Sequence, residues 1–276
     1  MSFSILNNIA GLNAQNSLNL NNVSLNRTLL RLSTGKRINS GADDAAGLGI
    51  ADSLRANVRA LDQAIRNAND GISVAQIADG ALQEITNLLT RGFSLAEEAA
   101  TDTVDTAGRT ALNSELTSIK SEITRIATQT NFNGVALFTS AGVSLNIFVG
   151  DIHNSSSIAV TVGAVSATSV GGQDLTSTAL DTQAHAQSAM TDLKTALGGI
   201  STNRAGLGAS MNRLQSAVAV LQSQSQNTTA AESTIRDANM AEEIANLTKY
   251  QILAQSGIAA LSQANASSQS VLALFK

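Results

Sequence analysis

The fold is decided by residues 31–89, which open with RLSTGKRINSGADDAAGLGIADSLRANVRALDQAIRNANDGISVAQ. Beyond Ala51, apolar residues recur in steps of three and four, the spacing of one narrow face of a long helix. They are Leu54, Val58, Leu61, Ile65, Ala68, Ile72, Ala75 and Leu82. A loop at 39–42 precedes Asp43 and Asp44, either of which can cap a helix N-terminus. The sequence therefore predicts a long helix that begins near Asp43 and carries one apolar seam.

A second helix is predicted after a turn at residues 101–106. The same spacing continues through Leu112, Leu116, Ile119, Ile123 and Ile126. A polar Asn- and Gly-containing stretch at 131–134 then ends the pattern. Because the turn between the two patterns is short, we expect this helix to lie back along the first.

In the middle of the chain the spacing of the apolar residues changes from a helical period to the alternation of a β-strand. Alternating apolar residues occur at Val143, Leu145, Ile147 and Val149, and again at Ile158, Val160 and Val162. The polar residues 151–157 lie between the two sets. This pattern predicts a β-hairpin. The whole region 134–178 is shorter than an ordinary independent domain of at least about 50 residues.

Helical spacing resumes at Ala179 and continues to about residue 225. The polar stretch 224–233 is predicted to separate this helix from a last one that carries Met240, Ile244 and Leu247. We therefore expect a mainly α fold, a long antiparallel helical bundle or coiled coil built from both chain ends, with a small β-hairpin region in the middle. Residues 1–43 with 229–276 form the expected terminal helical domain, and 44–228 form the central helical domain that includes the hairpin region 134–178.

Both chain ends have an apolar stripe on a polar helix. In residues 1–35 the gaps in the stripe are rich in Asn, a poor helix former. Such a helix is marginal by itself and is expected to order when a partner covers it. The alternative is an ordinary amphipathic helix packed in its own core. The candidate assembly residues are Ile5, Ile9, Leu12, Leu18, Leu25, Leu29, Leu32, Met240, Ile244, Leu247, Ile258, Leu261 and Leu272.

Composition argues against most kinds of chemistry. The chain has 276 residues, no cysteine and no proline, and a net charge of -4. It has two histidines, His153 and His185, and neither belongs to a metal-ligand motif. We therefore expect no enzyme activity, no cofactor and no metal site. Four cations precede Asp43, without the aromatic residues that stack bases, so nucleic-acid binding is not expected. No run is long and apolar enough for membrane insertion, and the start lacks the pattern of a cleaved signal peptide.

Four sequence motifs carry a resemblance to a known family. They are RLSTGKRINSGADDAAGLGIA at 31–51, NANDGIS at 67–73, QTNFNGV at 129–135 and STIRDANMAEEIANLTKYQILAQSG at 233–257. In this order and spacing they resemble bacterial flagellin. The likeness extends to about residue 137 and resumes from about residue 207.

The resemblance implies a structural subunit that polymerises with itself into the flagellar filament used for motility. The terminal helices would build the inner tubes of that filament. Such subunits are extracellular and leave the cell unfolded through the flagellar type III export system, without a cleaved signal. The implied partners are an export chaperone on the C-terminal helix, and the hook-associated and cap proteins. Two alternatives are a flagellin-like hook-filament junction protein, and a soluble coiled-coil binding module.

The resemblance also implies contact with a host Toll-like receptor. Arg91, Leu95 and Glu115 fall at the positions through which many flagellins are recognised. The neighbouring stretch 92–94, Gly-Phe-Ser, departs from the usual family pattern. Weakened recognition is therefore expected. The alternative is that Arg91 and Glu115 are solvated charges and that Leu95 belongs to the apolar seam or to a subunit contact.

Overall fold

The computed structural model describes residues 8–166 and 169–273, with side chains described as far as residue 267. The elements within those ranges are α1 Ile9–Thr34, α2 Ala45–Ala99, α3 Thr106–Gln129, β1 Asn131–Phe132, β2 Val135–Ala136, β3 Val143–Phe148, β4 Ser157–Val162, β5 Val165–Ser166, β6 Ser169–Val170, α4 Gln183–Arg236 and α5 Met240–Ala273. The strands form small antiparallel pairs, β1 with β2, β3 with β4 and β5 with β6. The fold is mainly α, and the predicted class is confirmed.

The described chain divides into two compact units. The terminal unit comprises the described residues of 1–56 and 227–276, and the central unit comprises those of 57–226. The sequence pattern had placed these boundaries at 43/44 and 228/229. In the structure the first boundary lies at 56/57, inside α2, so this uninterrupted helix belongs to both units.

The core of the central unit follows a seven-residue repeat along α2. Alternating steps of three and four connect its buried residues, as in a coiled-coil seam. From Leu61 the repeat consists of Leu61, Ala64, Ala68, Gly71, Ala75, Ala78, Leu82, Ile85, Leu89, Gly92, Ala96 and Ala99. Val74 and Leu95 are buried beside it. Most of these side chains are small, so neighbouring elements can approach the α2 backbone closely. Gly71 faces Ile147 and Leu214, and Gly92 faces Leu116 and Leu193.

Helix α4 contributes a matching seam to the same core. Its large buried residues recur at intervals of seven and are Leu193, Ile200, Leu207, Leu214 and Leu221. Between these layers, Arg204 Nε lies 2.8 Å from Asp79 Oδ1, and this ion pair joins α4 to α2. Leu116 and Ile123 of α3 lie in the same cluster. The predicted seam residue Leu54, by contrast, is only half-buried.

The predicted β-hairpin is present as β3 and β4. Val143 pairs with Val162 and Phe148 pairs with Ser157. On β4, alternate residues Ile158, Val160 and Val162 are buried, so one face of the hairpin packs on the core and the other faces solvent. The short pairs β1–β2 and β5–β6 were not predicted, because two-residue strands are too short to show alternation.

The predicted separation at residues 224–233 is wrong, because α4 continues through this stretch to Arg236. Polar residues do not end a helix unless a breaker or a competing cap stops it, and this stretch contains neither glycine nor proline. The break lies at residues 237–239. There the side chain of Asn239 accepts hydrogen bonds from the first amides of α5, with a distance of 3.2 Å from Ala241 N.

The predicted helix start at Ala179 is also wrong, since α4 begins at Gln183. Leu180 is fully buried, and its backbone N–H donates to Asn113 Oδ1 over 2.9 Å. This contact holds the chain outside helical geometry just before α4. The N-terminus of α2, predicted near Asp43, is capped by Asp44, because Asp44 Oδ1 accepts a hydrogen bond from Gly47 N over 2.8 Å.

Two neighbouring glycines of α4 provide a test of the central packing. A methyl group on Gly199 would overlap the backbone of Gly171, whereas one on Gly198 would meet nothing within 4 Å. We expect Gly199→Ala to destabilise the monomer by about 1–3 kcal/mol, because backbone must move to make room. Gly198→Ala should stabilise it by about 0.5–1 kcal/mol through helix propensity. Chemical denaturation followed by circular dichroism measures both, and equal effects would contradict the close contact at Gly199.

Candidate functional site in the terminal helices

Helices α1 and α5 pair antiparallel within the terminal unit. Polar contacts at three levels define the register. Asn8 Nδ2 donates to the carbonyl of Ala264 over 3.4 Å, and Asn21 Nδ2 donates to the carbonyl of Tyr250 over 2.9 Å. Near the other end of the pair, Arg31 Nη1 lies 3.3 Å from Glu243 Oε1. As the residue number rises along α1 it falls along α5, so one register holds over the whole described pair.

Small and polar residues make up much of the face where the two helices meet. We call the less exposed face of the pair the inner seam. Its residues are Gly11, Ala14, Leu18, Asn21, Leu25, Thr28, Arg31 and Leu32 on α1, and Glu243, Leu247, Tyr250, Ala254, Gly257, Leu261 and Ala264 on α5. Leu18 packs against Gly257, where the absence of a side chain lets the helices approach.

Many of the large apolar residues of the pair lie elsewhere, on surfaces open to solvent. We call them the outer apolar residues, and Leu20 is the most exposed of them at 71%. They are Ile9, Leu12, Leu20, Val23, Leu29 and Leu30 on α1, and Met240, Ile244, Ile252, Leu253 and Ile258 on α5. Eleven large apolar side chains of the described residues are thus exposed on two paired helices, and extensive exposed apolar surface usually marks a site of interaction.

The predicted assembly residues divide between these two faces. Outer apolar residues among them are Ile9, Leu12, Leu29, Met240, Ile244 and Ile258, whereas Leu18, Leu25, Leu32, Leu247 and Leu261 lie in the inner seam. Ile5 and the side chain of Leu272 lie outside the described residues. Sequence reasoning missed Leu20, Val23, Leu30, Ile252 and Leu253, since it followed a single stripe per helix while these helices carry apolar residues on more than one face.

The inner seam contains charged and polar groups that are shielded from water. Glu243 is 7% exposed and Thr28 is 5% exposed. Among the described residues, Asn21 Oδ1 and Arg31 Nε are buried without a hydrogen-bond partner. Buried polar contacts add little net stability, but they disfavour other registers because a shift would leave a charge unpaired. The arrangement therefore fixes how α1 and α5 align rather than supplying strong attraction.

The loop after α1 is held to the junction between α4 and α5. Arg37 N donates to the carbonyl of Arg236 over 2.7 Å, and Ala238 N donates to the carbonyl of Gly35 over 3.0 Å. The Arg236 guanidinium lies 3.4 Å from Asp52 Oδ1. These contacts connect all the chain segments of the terminal unit, so the end of α1 and the start of α5 lie at fixed positions.

Asp43 organises the loop before α2. Its Oδ2 accepts from the backbone N–H of Asn39 over 3.2 Å and from that of Ser40 over 3.1 Å. Burial raises the pKa of Asp43, but these hydrogen bonds and the charge of Arg31 outweigh it and hold the pKa below its ordinary value. The carboxylate is therefore charged at neutral pH.

The three candidate receptor residues do not share one surface. Arg91 and Glu115 are exposed and form an ion pair, with 2.8 Å between Arg91 Nη2 and Glu115 Oε1. Leu95 is 1% exposed and belongs to the central core. A partner that binds the surface of this unit can contact the Arg91 and Glu115 side chains but not the Leu95 side chain. Receptor contact at Arg91 and Glu115 remains a prediction.

The described residues include neither a candidate metal site nor a helix that could span a membrane. They contain no group of three or more His, Cys, Asp or Glu side chains that could hold a metal ion. His185 Nδ1 lies 2.6 Å from Asp181 Oδ1, and both side chains are exposed. Within the same ranges, none of the helices has a stretch of the length and hydropathy needed to cross a membrane.

Comparison with known proteins assigns the family. The model described as "Bacterial flagellin N-terminal helical region" matches residues 5–142, and the model described as "Bacterial flagellin C-terminal helical region" matches residues 190–275. The chain is 36% identical over 276 residues to a flagellin of Halalkalibacterium halodurans, with 99% of each chain covered. It is 35% identical over 285 residues to the flagellar filament 33 kDa core protein of Treponema phagedenis, again with 99% of each covered.

A solved structure gives the same assignment. The crystal structure of Bacillus cereus flagellin superposes with a TM-score of 0.50 at 34% identity, over 60% of this chain and 94% of that one. The family is structural rather than enzymatic, and its members form the extracellular flagellar filament. The chain belongs to the bacterial flagellin family and is a structural subunit of that filament.

Proposed function

We propose that α1 and α5 are the elements through which the subunit polymerises, and that the outer apolar residues bind other copies of the same chain. The observation that carries this proposal is the distribution of side chains in the terminal unit. Among the described residues, eleven large apolar ones face solvent there, while the inner seam combines five leucines with small and polar residues. In the proposed filament these helices form the inner tubes.

The energetics favour coupling between order and assembly. Full burial of a Leu, Ile or Val side chain contributes roughly 1.5–3 kcal/mol, so a chain that leaves many of them exposed forgoes much of its stabilisation. Ordering each residue of a helix costs about 1–2 kcal/mol of backbone entropy. Neighbouring copies that cover the outer residues would offset this cost. A terminal unit packed only on itself would instead bury these side chains.

The geometry also supports an open polymer rather than a closed oligomer. The exposed apolar residues lie on more than one face of the α1–α5 pair, so a face of one copy can meet a different face of the next. Such heterologous contacts extend into a helical filament unless the rotation closes. A hook-filament junction protein would use similar helices but would not extend indefinitely. A soluble coiled-coil module would not assemble on seeds at all. The length of the polymer formed by the purified chain distinguishes the three.

Other partners follow from the same surfaces. Before assembly, the outer apolar residues of α5 would be open to aggregation, and we propose that an export chaperone covers them until the unfolded chain enters the type III channel. Hook-associated and cap proteins would meet the corresponding faces at the two ends of the filament. Secretion without a cleaved signal and a role in motility complete the proposal.

Substitution of one outer residue tests the assembly surface. Leu20→Asn introduces the residue type already common in α1, and it leaves no cavity in the monomer because Leu20 is largely exposed. If the side chain is buried between copies, the critical concentration for seeded polymerisation should rise roughly ten- to a hundredfold. Sedimentation of filaments at graded subunit concentrations measures this change, and monomer denaturation should be unaltered.

The matched control is Asn22→Gln, an exposed polar residue of the same helix. It should leave the critical concentration unchanged. An equal critical concentration for wild type and Leu20→Asn would refute the proposed surface. Hydrogen exchange provides a second measure, since amides of α1 and α5 should be weakly protected in the monomer and strongly protected in the filament. Strong protection in a verified monomer would favour the ordinary packed core.

The inner seam provides a further prediction. Glu243→Gln removes the carboxylate that faces Arg31 and leaves a partly shielded guanidinium without its counter-charge. We expect filaments of this variant to lose about 1–3 kcal/mol per subunit. The double variant Arg31→Met with Glu243→Gln should recover part of that loss, because removing both charges is less costly than stranding one. Thermal dissociation of filaments gives the values for a double-mutant cycle, and strict additivity would contradict a register role for the pair.

A further inference from the structure

The turn between β1 and β2 places an asparagine directly before a glycine. Asn133 and Gly134 form the two-residue loop of this hairpin, with φ values of 50° and 79°. Positive φ at both positions is the geometry of a type I′ turn, for which Asn-Gly is a favoured pair. Both residues are exposed. The chain contains this Asn-Gly dipeptide only once.

The two groups that can react with each other at this turn are both open to water. Within the described residues, the structure gives no hydrogen-bond partner to the side-chain amide of Asn133 or to the backbone N–H of Gly134. Glycine has no Cβ, so nothing on residue 134 obstructs an approach of its nitrogen to the Asn133 side chain.

Two other asparagines, Asn39 and Asn113, are constrained where Asn133 is not. At Asn39, the next residue's N–H is occupied, because Ser40 N donates to Asp43 Oδ2 over 3.1 Å. At Asn113, the side-chain oxygen accepts from Leu180 N over 2.9 Å, and the residue lies within α3. Reaction at either position would require hydrogen bonds to break first.

We propose that Asn133 is a site of spontaneous deamidation in the folded protein. The nitrogen of Gly134 attacks the side-chain carbonyl carbon of Asn133, a C–N bond forms, and ammonia leaves with the proton of the former N–H. The product is a five-membered cyclic imide. Water then opens the ring at one of its two carbonyls, which gives aspartate or isoaspartate at position 133. The net reaction consumes one water molecule and converts a neutral amide into a carboxylate.

The modification would lengthen the backbone of the turn between β1 and β2. Isoaspartate carries the main chain through its β-carbon and adds one methylene to a turn that accommodates two residues. The pairs Phe132–Val135 and Asn131–Ala136 would then lose their register. Directly after them, Leu137 and Phe138 are buried in the central core, so the added length cannot be absorbed in that direction. Each conversion also adds a negative charge to the exposed surface.

Peptide mapping of the full-length folded monomer, aged at neutral to mildly alkaline pH, tests the proposal. The peptide that contains Asn133 should gain the mass that accompanies replacement of NH₂ by OH, and fragmentation should place the gain at residue 133. Since Asn39 and Asn113 must first break hydrogen bonds, conversion at Asn133 should be at least about tenfold faster than at either of them. Isoaspartate should be present among the products.

Two variants provide the controls. Asn133→Asp installs one product of the reaction and should abolish the mass gain of that peptide. Asn154→Asp changes an exposed asparagine in another loop and should leave the gain unchanged. The proposal is overturned if conversion at Asn133 is no faster than at Asn39 and Asn113, or if the Asn133→Asp chain still gains the same mass in this peptide.

Discussion

The central unit depends on one constraint, the small size of the side chains along the α2 seam. Between Leu61 and Leu82 the positions of the seven-residue repeat are occupied by alanines and a glycine, so neighbouring backbone and side chains come close to the helix. Val74 is buried beside this repeat. At Gly71 that space is filled from two sides, by Ile147 of the β-hairpin and Leu214 of α4. A larger residue there would displace both elements together. The seven-residue spacing of Leu193 to Leu221 on α4 is the complementary half of the same packing.

The terminal unit distributes its apolar and polar residues differently. There the groups shielded from water include a carboxylate, a guanidinium and an asparagine, whereas leucines and isoleucines are exposed. A sequence that favours one structure normally places its apolar residues inside, and conflicts with that rule concentrate at functional surfaces. In the proposed assembly the conflict has a physical resolution, because neighbouring copies would cover these exposed side chains. The exposed apolar surface would then be one half of an interface.

The sequence predicted the positions of the helices better than it predicted which face of each helix is buried. Steps of three and four identified α2, α3 and the later helices, because burial on one side imposes this period. The same period could not show which face of α1 is internal, since apolar residues occur on more than one side of it and Asn occupies the gaps. Leu95 illustrates a related limit. Spacing and family resemblance gave it two different roles, and only the packing of α2 shows that its side chain is in the core. The uninterrupted α4 was missed because polarity was read as a linker, although helices end at specific caps.

The polar inner seam and the exposed apolar faces have a common physical rationale in the proposed assembly. If α1 and α5 were joined by a large apolar interface, the same residues could also join copies in wrong registers, since hydrophobic contact is non-directional. Directional contacts such as Arg31 with Glu243 and Asn21 with the Tyr250 carbonyl specify one alignment at little net gain in stability. The apolar surface then remains available, and its attraction acts between subunits. A pair that is precisely aligned but weakly held by itself is what a subunit needs if its ends are to order as they join a filament.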